Sequence, residues 1–217
     1  MNWHDVLIAM LPEHLLLVGI LLLLGTEIVS GRVRDGFLIA VASVAAATIV
    51  AWSLYVRGYV GAPFLDHYTV GPMAFIAKAA ILAFTLPVLF ISRDDFADSR
   101  FYALLLSSLY GACLVVSSNS FPTLFLGLEI MSLPVYVMVM LAFARSDSTE
   151  AALKYLVLGG AATATLLMGA SLLYGSSGSL ALSAFSDALA SSQPIAVAGT
   201  VLVVAALFLK AAVVPFH

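Results

Sequence analysis

Long apolar stretches alternate with short polar links along the whole 217-residue chain. They fall at about residues 11–29, 37–56, 72–92, 101–118, 121–145, 151–174 and from 194 onward. Each approaches the roughly twenty residues that a helix needs to cross a bilayer core. Only a few residues, 119–122, separate the fourth stretch from the fifth, which predicts an antiparallel helical hairpin. Residues 57–68, with Gly58, Gly61 and Pro63, predict a loop, and residues 146–150 a tight link. Residues 92–100 (SRDDFADSR) form the most polar link. The longest link, 175–193, is Ser-rich, and an amphipathic piece near 183–189 predicts a short surface helix. The sixth stretch holds a run of small residues at 159–165, which lets helix backbones approach closely in lipid.

Composition sharpens this pattern into a class. The chain is 63% hydrophobic and 10% charged, against about 45–50% and about 25% for a soluble domain. The expected fold is all-α and integral to the membrane, a polytopic bundle of about seven transmembrane helices. A net charge of -3 gives no reason to expect nucleic acid. The single cysteine, Cys113, excludes an internal disulfide or a CxxC site and reads as a small core residue. No Lys or Arg precedes the first apolar run, so the basic region of a cleaved signal peptide is missing and the first span is expected to be retained. Arg32, Arg34, Arg93, Arg100 and Arg145 fall in the links after the first, third and fifth stretches, and Arg57 alone on the other side. The positive-inside rule then puts the N-terminus outside.

Charges inside apolar stretches are functional candidates by default. Glu129 lies about 12 Å into the fifth stretch, with Pro134 loosening the helix five residues later. Its candidate partners are Lys154 and Lys210, on the next two stretches. Lys154 is near the start of its span, where snorkelling to the interface is an alternative. Lys210 is about 22 Å into a straight helix, so its depth and that of Glu129 disagree unless the seventh helix is tilted or starts late. Lys78 either snorkels or faces other helices. Glu13, His14 and Glu27 are close enough to span ends for a solvated or interfacial role. A buried acid–lysine pair couples the two protonation states: a nearby negative charge holds the proton on the lysine, and its removal leaves a desolvated ammonium that sheds it. The chain stops inside an apolar segment, which predicts a missing continuation or a helix break at Pro215. A lysine near such a break sits at a helix C-terminal end, where positive charge is favoured. His217 beyond it is suited to relay protons.

Three motifs, FLGLEIMSLP (125–134), EAALKYLVL (150–158) and FLKAAVVPFH (208–217), resemble the antiporter-like membrane subunits of respiratory complex I, most nearly its subunit N family. The resemblance implies proton translocation coupled to NADH oxidation by quinone. It maps the family's fifth-helix acid onto Glu129, its sixth-helix lysine onto Lys154, its lysine before the break of a discontinuous seventh helix onto Lys210, and the histidine of its PFH motif onto His217. It also implies a division into three N-terminal helices, 1–100, and an incomplete first half-channel repeat, 101–217, holding helices four to seven of an inverted-repeat fold. Family members are about twice as long, so a fragment is the expectation. No cofactor is implied in this chain. NADH, FMN, iron–sulfur clusters and quinone belong to partner subunits, and the partners implied are other complex I membrane subunits, neighbouring antiporter-like ones among them. The implied location is the bacterial inner membrane. The alternatives are a cation/proton antiporter subunit, or a truncated scaffold or assembly relative that transports nothing.

Overall fold

A computed structural model of the chain describes residues 3–30, 33–93, 99–141 and 146–213. Pro215 and His217 lie outside the described residues. The elements run α1 (Trp3–Ala9), α2 (Leu11–Ser30), α3 (Val33–Val56), β1 (Gly61–Phe64), β2 (Tyr68–Val70), α4 (Pro72–Ile91), α5 (Ser99–Val116), α6 (Phe121–Met140), α7 (Ser146–Ser177), α8 (Ser183–Ala190) and α9 (Pro194–Lys210). Among the described residues six helices, α2 to α7, are long and apolar enough to cross a membrane, and α9 is a shorter apolar helix. The expected helical membrane bundle is therefore present, and α8 is the short helix expected in the longest link.

Two local expectations are corrected. Residues 57–68 are not simply a loop: β1 and β2 pair antiparallel, with Gly61 opposite Val70 and Phe64 opposite Tyr68. The turn between them is closed by Asp66 at a φ of 66°, a conformation that Asp tolerates better than most residues. Residues 146–150 are not a link but the first turn and a half of α7. The last helix ends at Lys210, before Pro215 is reached. There Val213 N–H bonds the Phe208 carbonyl and Ala212 N–H the Leu209 carbonyl, at 3.1 and 3.2 Å. With Ala212 at a φ of 49°, this is a Schellman stop, which satisfies the carbonyls a helix end leaves over.

Prolines open α4, α6 and α9, where a missing N–H costs nothing. Two packed groups follow. Leu16, Val44, Leu82, Leu89 and Leu106 centre the first, from α2 to α5. Leu128, Leu166, Leu173 and Val203 centre the second, from α6, α7 and α9. The seam between the groups is α5 on α6, drawn tight at Gly111 and Gly127. A Cβ on Gly111 would meet the Gly127 carbonyl at 2.8 Å, and one on Gly127 would meet Val115 N at 2.9 Å. Gly169 and Gly199 do the same for α7 and α9, with each added Cβ within 3.0 Å of the other's carbonyl. Large apolar side chains such as Leu21, Ile28, Phe84 and Ile91 point outward, as a lipid-facing surface requires.

One end of the bundle is knitted by backbone. Thr69 N–H bonds Ser117 C=O at 3.0 Å and Asn119 N–H bonds His67 C=O at 2.9 Å. Phe121 N–H bonds Leu180 C=O at 2.9 Å and Leu182 N–H bonds Asn119 C=O at 3.0 Å. The hairpin, the α5–α6 link and the α7–α8 link thus share one cap, here called the hairpin face.

Candidate functional site

α6 begins at the hairpin face, its first N–H groups served by Ser120, whose side chain accepts from Thr123 N–H at 3.4 Å. Glu129 lies eight residues further on. Its Oε1 accepts from Lys210 Nζ at 2.8 Å and from Thr163 Oγ1 at 2.6 Å. The side chains are 9% exposed for Lys210 and 21% for Glu129. Three helices therefore converge on one carboxylate oxygen.

The disagreement in depth is resolved by how α7 and α9 are pinned. Their axes touch at Gly169 and Gly199. From that point Thr163 lies about 9 Å along α7, and Lys210 about 16 Å along α9 in the same direction. A helical side chain leans toward its own N-terminus, and the flexible four-carbon stem of Lys210 carries its ammonium back to the level of Thr163. The end of α9 falls at this lysine. Its terminal carbonyls put partial negative charge beside the ammonium, a second stabilising contact for the cation.

Pro134 sits inside α6 and cannot donate to the Ile130 carbonyl. The helix stays continuous, with added bonds on either side: Ser132 Oγ to Leu128 C=O at 2.7 Å, and Ser108 Oγ from α5 to Met131 C=O at 2.8 Å. Serines and a proline beside a buried acid make this the least apolar part of α6. A cavity of about 670 Å³ opens against it, lined by Ser108, Ser132, Tyr136, Tyr155 and Lys210 among others. The two tyrosine rings meet edge to face with centroids 4.8 Å apart. Gly159 makes room for them, since a Cβ there would collide with the Tyr136 hydroxyl.

Lys154 is not part of this group. It pairs with Glu150 one turn away at 2.6 Å, and the two side chains are 71% and 68% exposed. Thr163, which holds Glu129, is nine positions on, about half a turn out of phase. Of the two candidate partners for Glu129, the structure brings only Lys210 to it. Thr163, Tyr136 and Tyr155 went unnoticed in sequence. The available signal was a hydroxyl inside the small-residue run and tyrosines within a lipid-length helix.

Glu13 corrects a further expectation. It is not interfacial but wholly buried, paired with Lys78 at 2.6 Å, and both side chains are 0% exposed. Tyr68 donates to Glu13 Oε1 at 2.7 Å and accepts from Lys78 Nζ at 2.8 Å. The reason is the hairpin. Tyr68 and Val70 with Ala9, Leu54 and Phe75 form a small core over the start of α2, closing it from outside. Lys78 accordingly faces the bundle, its ammonium 5.1 Å from the Tyr68 ring centre and 5.4 Å from that of Phe75. Burial, then the Glu13 carboxylate beside it, pushes the Tyr68 phenol above its ordinary range. His14 is half-buried with Nε2 enclosed and unpartnered. Glu27 stays at the far end, bonded by Ser99 Oγ at 2.6 Å with Arg100 at 3.7 Å. Cys113 is buried in the core, as expected. Among the described residues no three His, Cys, Asp or Glu side chains gather as a metal site would need.

The chain is similar to known proteins. The family model described as NADH:quinone oxidoreductase/Mrp antiporter, TM matches residues 118–217. NADH-quinone oxidoreductase subunit N of Pelobacter propionicus is 35% identical over 213 residues, covering 98% of this chain and 46% of its own. Subunit N 1 of Aquifex aeolicus is 34% identical over 223 residues, covering 100% and 46%. A structure of respiratory complex I from Thermus thermophilus with bound aureothin superposes with a TM-score of 0.82 at 28% identity, over 95% of this chain and 45% of that one. The Mrp complex from Dietzia sp. DQ12-45-1b shares the fold, with a TM-score of 0.78 at 21% identity over 95% and 42% of the two chains. The chain spans about half the length of the curated relatives it matches. For the length it spans, the chain is therefore similar to NADH-quinone oxidoreductase subunit N, and its residues 118–217 to the membrane part shared by NADH:quinone oxidoreductase and Mrp antiporters.

Proposed function

We propose that this chain is part of a proton-translocating membrane subunit of an NADH:quinone oxidoreductase, with Glu129 and Lys210 as its proton-transfer pair. One observation carries the reading: a carboxylate on lipid-length α6 and an ammonium on the shorter apolar α9, 2.8 Å apart, at a helix end and beside a cavity with a hydroxyl lining. An ion pair is expensive to hold in a membrane and marks an ion or proton path by default. With the Glu129 carboxylate in place, Lys210 keeps its proton. When Glu129 is neutralised or drawn away, the ammonium is left in a low-dielectric site and passes a proton to water in the cavity. Thr163 steers the carboxylate by donating to the same oxygen. Lys154, exposed on α7, and His217 are further proton-transfer candidates by resemblance.

In this reading the subunit is non-redox. NADH, FMN, iron–sulfur clusters and quinone act in partner subunits, and quinone reduction there drives the Glu129–Lys210 pair. The partners are other membrane subunits, neighbouring antiporter-like ones included, in the bacterial inner membrane. The five-to-one distribution of link arginines supports placing the hairpin face outside. The test is NADH-driven proton pumping by the assembled complex carrying Glu129→Gln or Lys210→Ala in the full-length subunit. Loss of pumping is expected. Full pumping in both variants would overturn the reading. The fold shared with the Mrp complex favours a second reading, a cation/proton antiporter subunit. Sodium-dependent proton flux without NADH would select it.

A further inference from the structure

The pair at Glu13 and Lys78 has no part in the proposed function. We propose that Glu13, Tyr68, Lys78 and Ser117 form a second proton-binding site, which holds a water molecule between Glu13 Oε2 and Ser117 Oγ and exchanges protons with it. The purpose of the exchange rests on the reading above; the existence of the site does not.

Four elements build it: Glu13 from α2, Tyr68 from β2, Lys78 from α4 and Ser117 just past the end of α5. Lys78 Nζ and Tyr68 Oη both donate to Glu13 Oε1, at 2.6 and 2.7 Å, and Lys78 also donates to Tyr68. Every protein donor is crowded on one oxygen. The other, Oε2, is buried and has no partner, and Ser117 Oγ, close to the Tyr68 phenol, makes no hydrogen bond of good geometry, although Glu13 is 0% and Ser117 2% exposed. The strand carrying Tyr68 is bonded to the Ser117 carbonyl through Thr69 N–H at 3.0 Å, which fixes the serine beside the phenol. A buried water needs two to four polar partners, and a carboxylate oxygen and a hydroxyl are two. A structural ion pair would spend both carboxylate oxygens on donors, and an apolar group of the same volume would be as stable or more so.

The exchange balances. A proton from water forms an O–H bond at Glu13 Oε2, and the carboxyl becomes neutral. Lys78, losing its counter-charge in a sealed site, breaks one N–H bond and returns a proton to water. The site is net neutral before and after. The Tyr68 phenol, kept protonated by burial, bonds to both groups and holds them in register. The other titratable groups facing the site are Tyr110 and Cys113 on α5, while α1 and α3 pack against Tyr68 through Ala9 and Leu54. An open pocket comes within one residue of Tyr68. His67, in the turn just before β2 and exposed, bonds Ser120 at 2.9 Å in an open pocket of about 460 Å³ that Asp66 also lines.

The test uses the assembled complex with the full-length subunit and combines infrared spectroscopy with pumping. The infrared difference between the parent and Glu13→Gln should contain a carboxyl band that shifts in D2O and survives in a Glu129→Gln background. Glu13→Gln should also pump several-fold fewer protons per electron. The double variant Glu13→Met/Lys78→Met leaves no unpaired charge, so it assembles, and its pumping should stay several-fold reduced. A spectrum unchanged by Glu13→Gln, or a double variant that pumps like the parent, would overturn the site as a proton exchanger and leave it a structural pin. If Glu129→Gln pumps fully while the Glu13 band is present, the site stands and the functional reading of Glu129 falls.

Discussion

The two buried ion pairs are built almost alike. In each, a lysine from one helix meets a glutamate from another, at 2.8 Å for Lys210–Glu129 and 2.6 Å for Lys78–Glu13. In each, a hydroxyl donates to the same carboxylate oxygen as the lysine, Thr163 at 2.6 Å and Tyr68 at 2.7 Å. They differ in their surroundings. The first lies at a helix end beside a cavity of about 670 Å³ and keeps some exposure. The second has none and is roofed by a β-hairpin. Side-chain chemistry alone therefore does not separate the two pairs. Enclosure does, and it is set by helix ends, small residues and one hairpin.

The comparison breaks most sharply on stability. Lys78→Met strands a fully buried carboxylate and should destabilise the protein by about 3–5 kcal/mol in thermal unfolding, while adding Glu13→Met should recover most of that loss. Lys210→Met leaves Glu129 with Thr163 and a path to water, so the cost should be nearer about 1 kcal/mol. Equal losses in the two lysine variants would mean that the cavity does not admit water.

The hairpin roof gives a smaller, pH-dependent effect. The Tyr68 phenol binds its proton more tightly folded than unfolded. The stability it contributes is fully present below the ordinary phenol value of about 10 and is lost as pH rises above it. Tyr68→Phe should flatten that alkaline decline in unfolding experiments. An unchanged slope would mean the phenol is not the group responsible.

Sequence revealed one pair and hid the other for a physical reason. Glu129 and Lys210 sit too deep in apolar stretches to reach water by flexing, so partners had to exist, and two candidates followed. Glu13 is in the first turn of α2 and Lys78 in the second of α4, where a long side chain ordinarily snorkels out. Only the hairpin makes that impossible, and residues 61–70 carry no long alternating pattern to announce strands. Lys154 shows the opposite case. It shares a helix with Thr163, but the angular phase of α7 turns it outward to Glu150, where the intrahelical pair satisfies it. The mismatch in depth between Glu129 and Lys210 was visible in the sequence. Its resolution, through the contact of Gly169 with Gly199 and a helix that stops at Lys210, needed the packing of α7 on α9.

An open cavity beside Lys210, against an enclosed site with room for a single water at Lys78, is the point on which the comparison of the two pairs turns. The most direct measurement is the rate of thiol labelling by a small membrane-permeant reagent after Lys210→Cys or Lys78→Cys, each in a Cys113→Ser background. Only a thiolate reacts, and a thiolate forms where water reaches, so position 210 should label at least about tenfold faster than position 78. Equal rates, or faster labelling at position 78, would contradict the account.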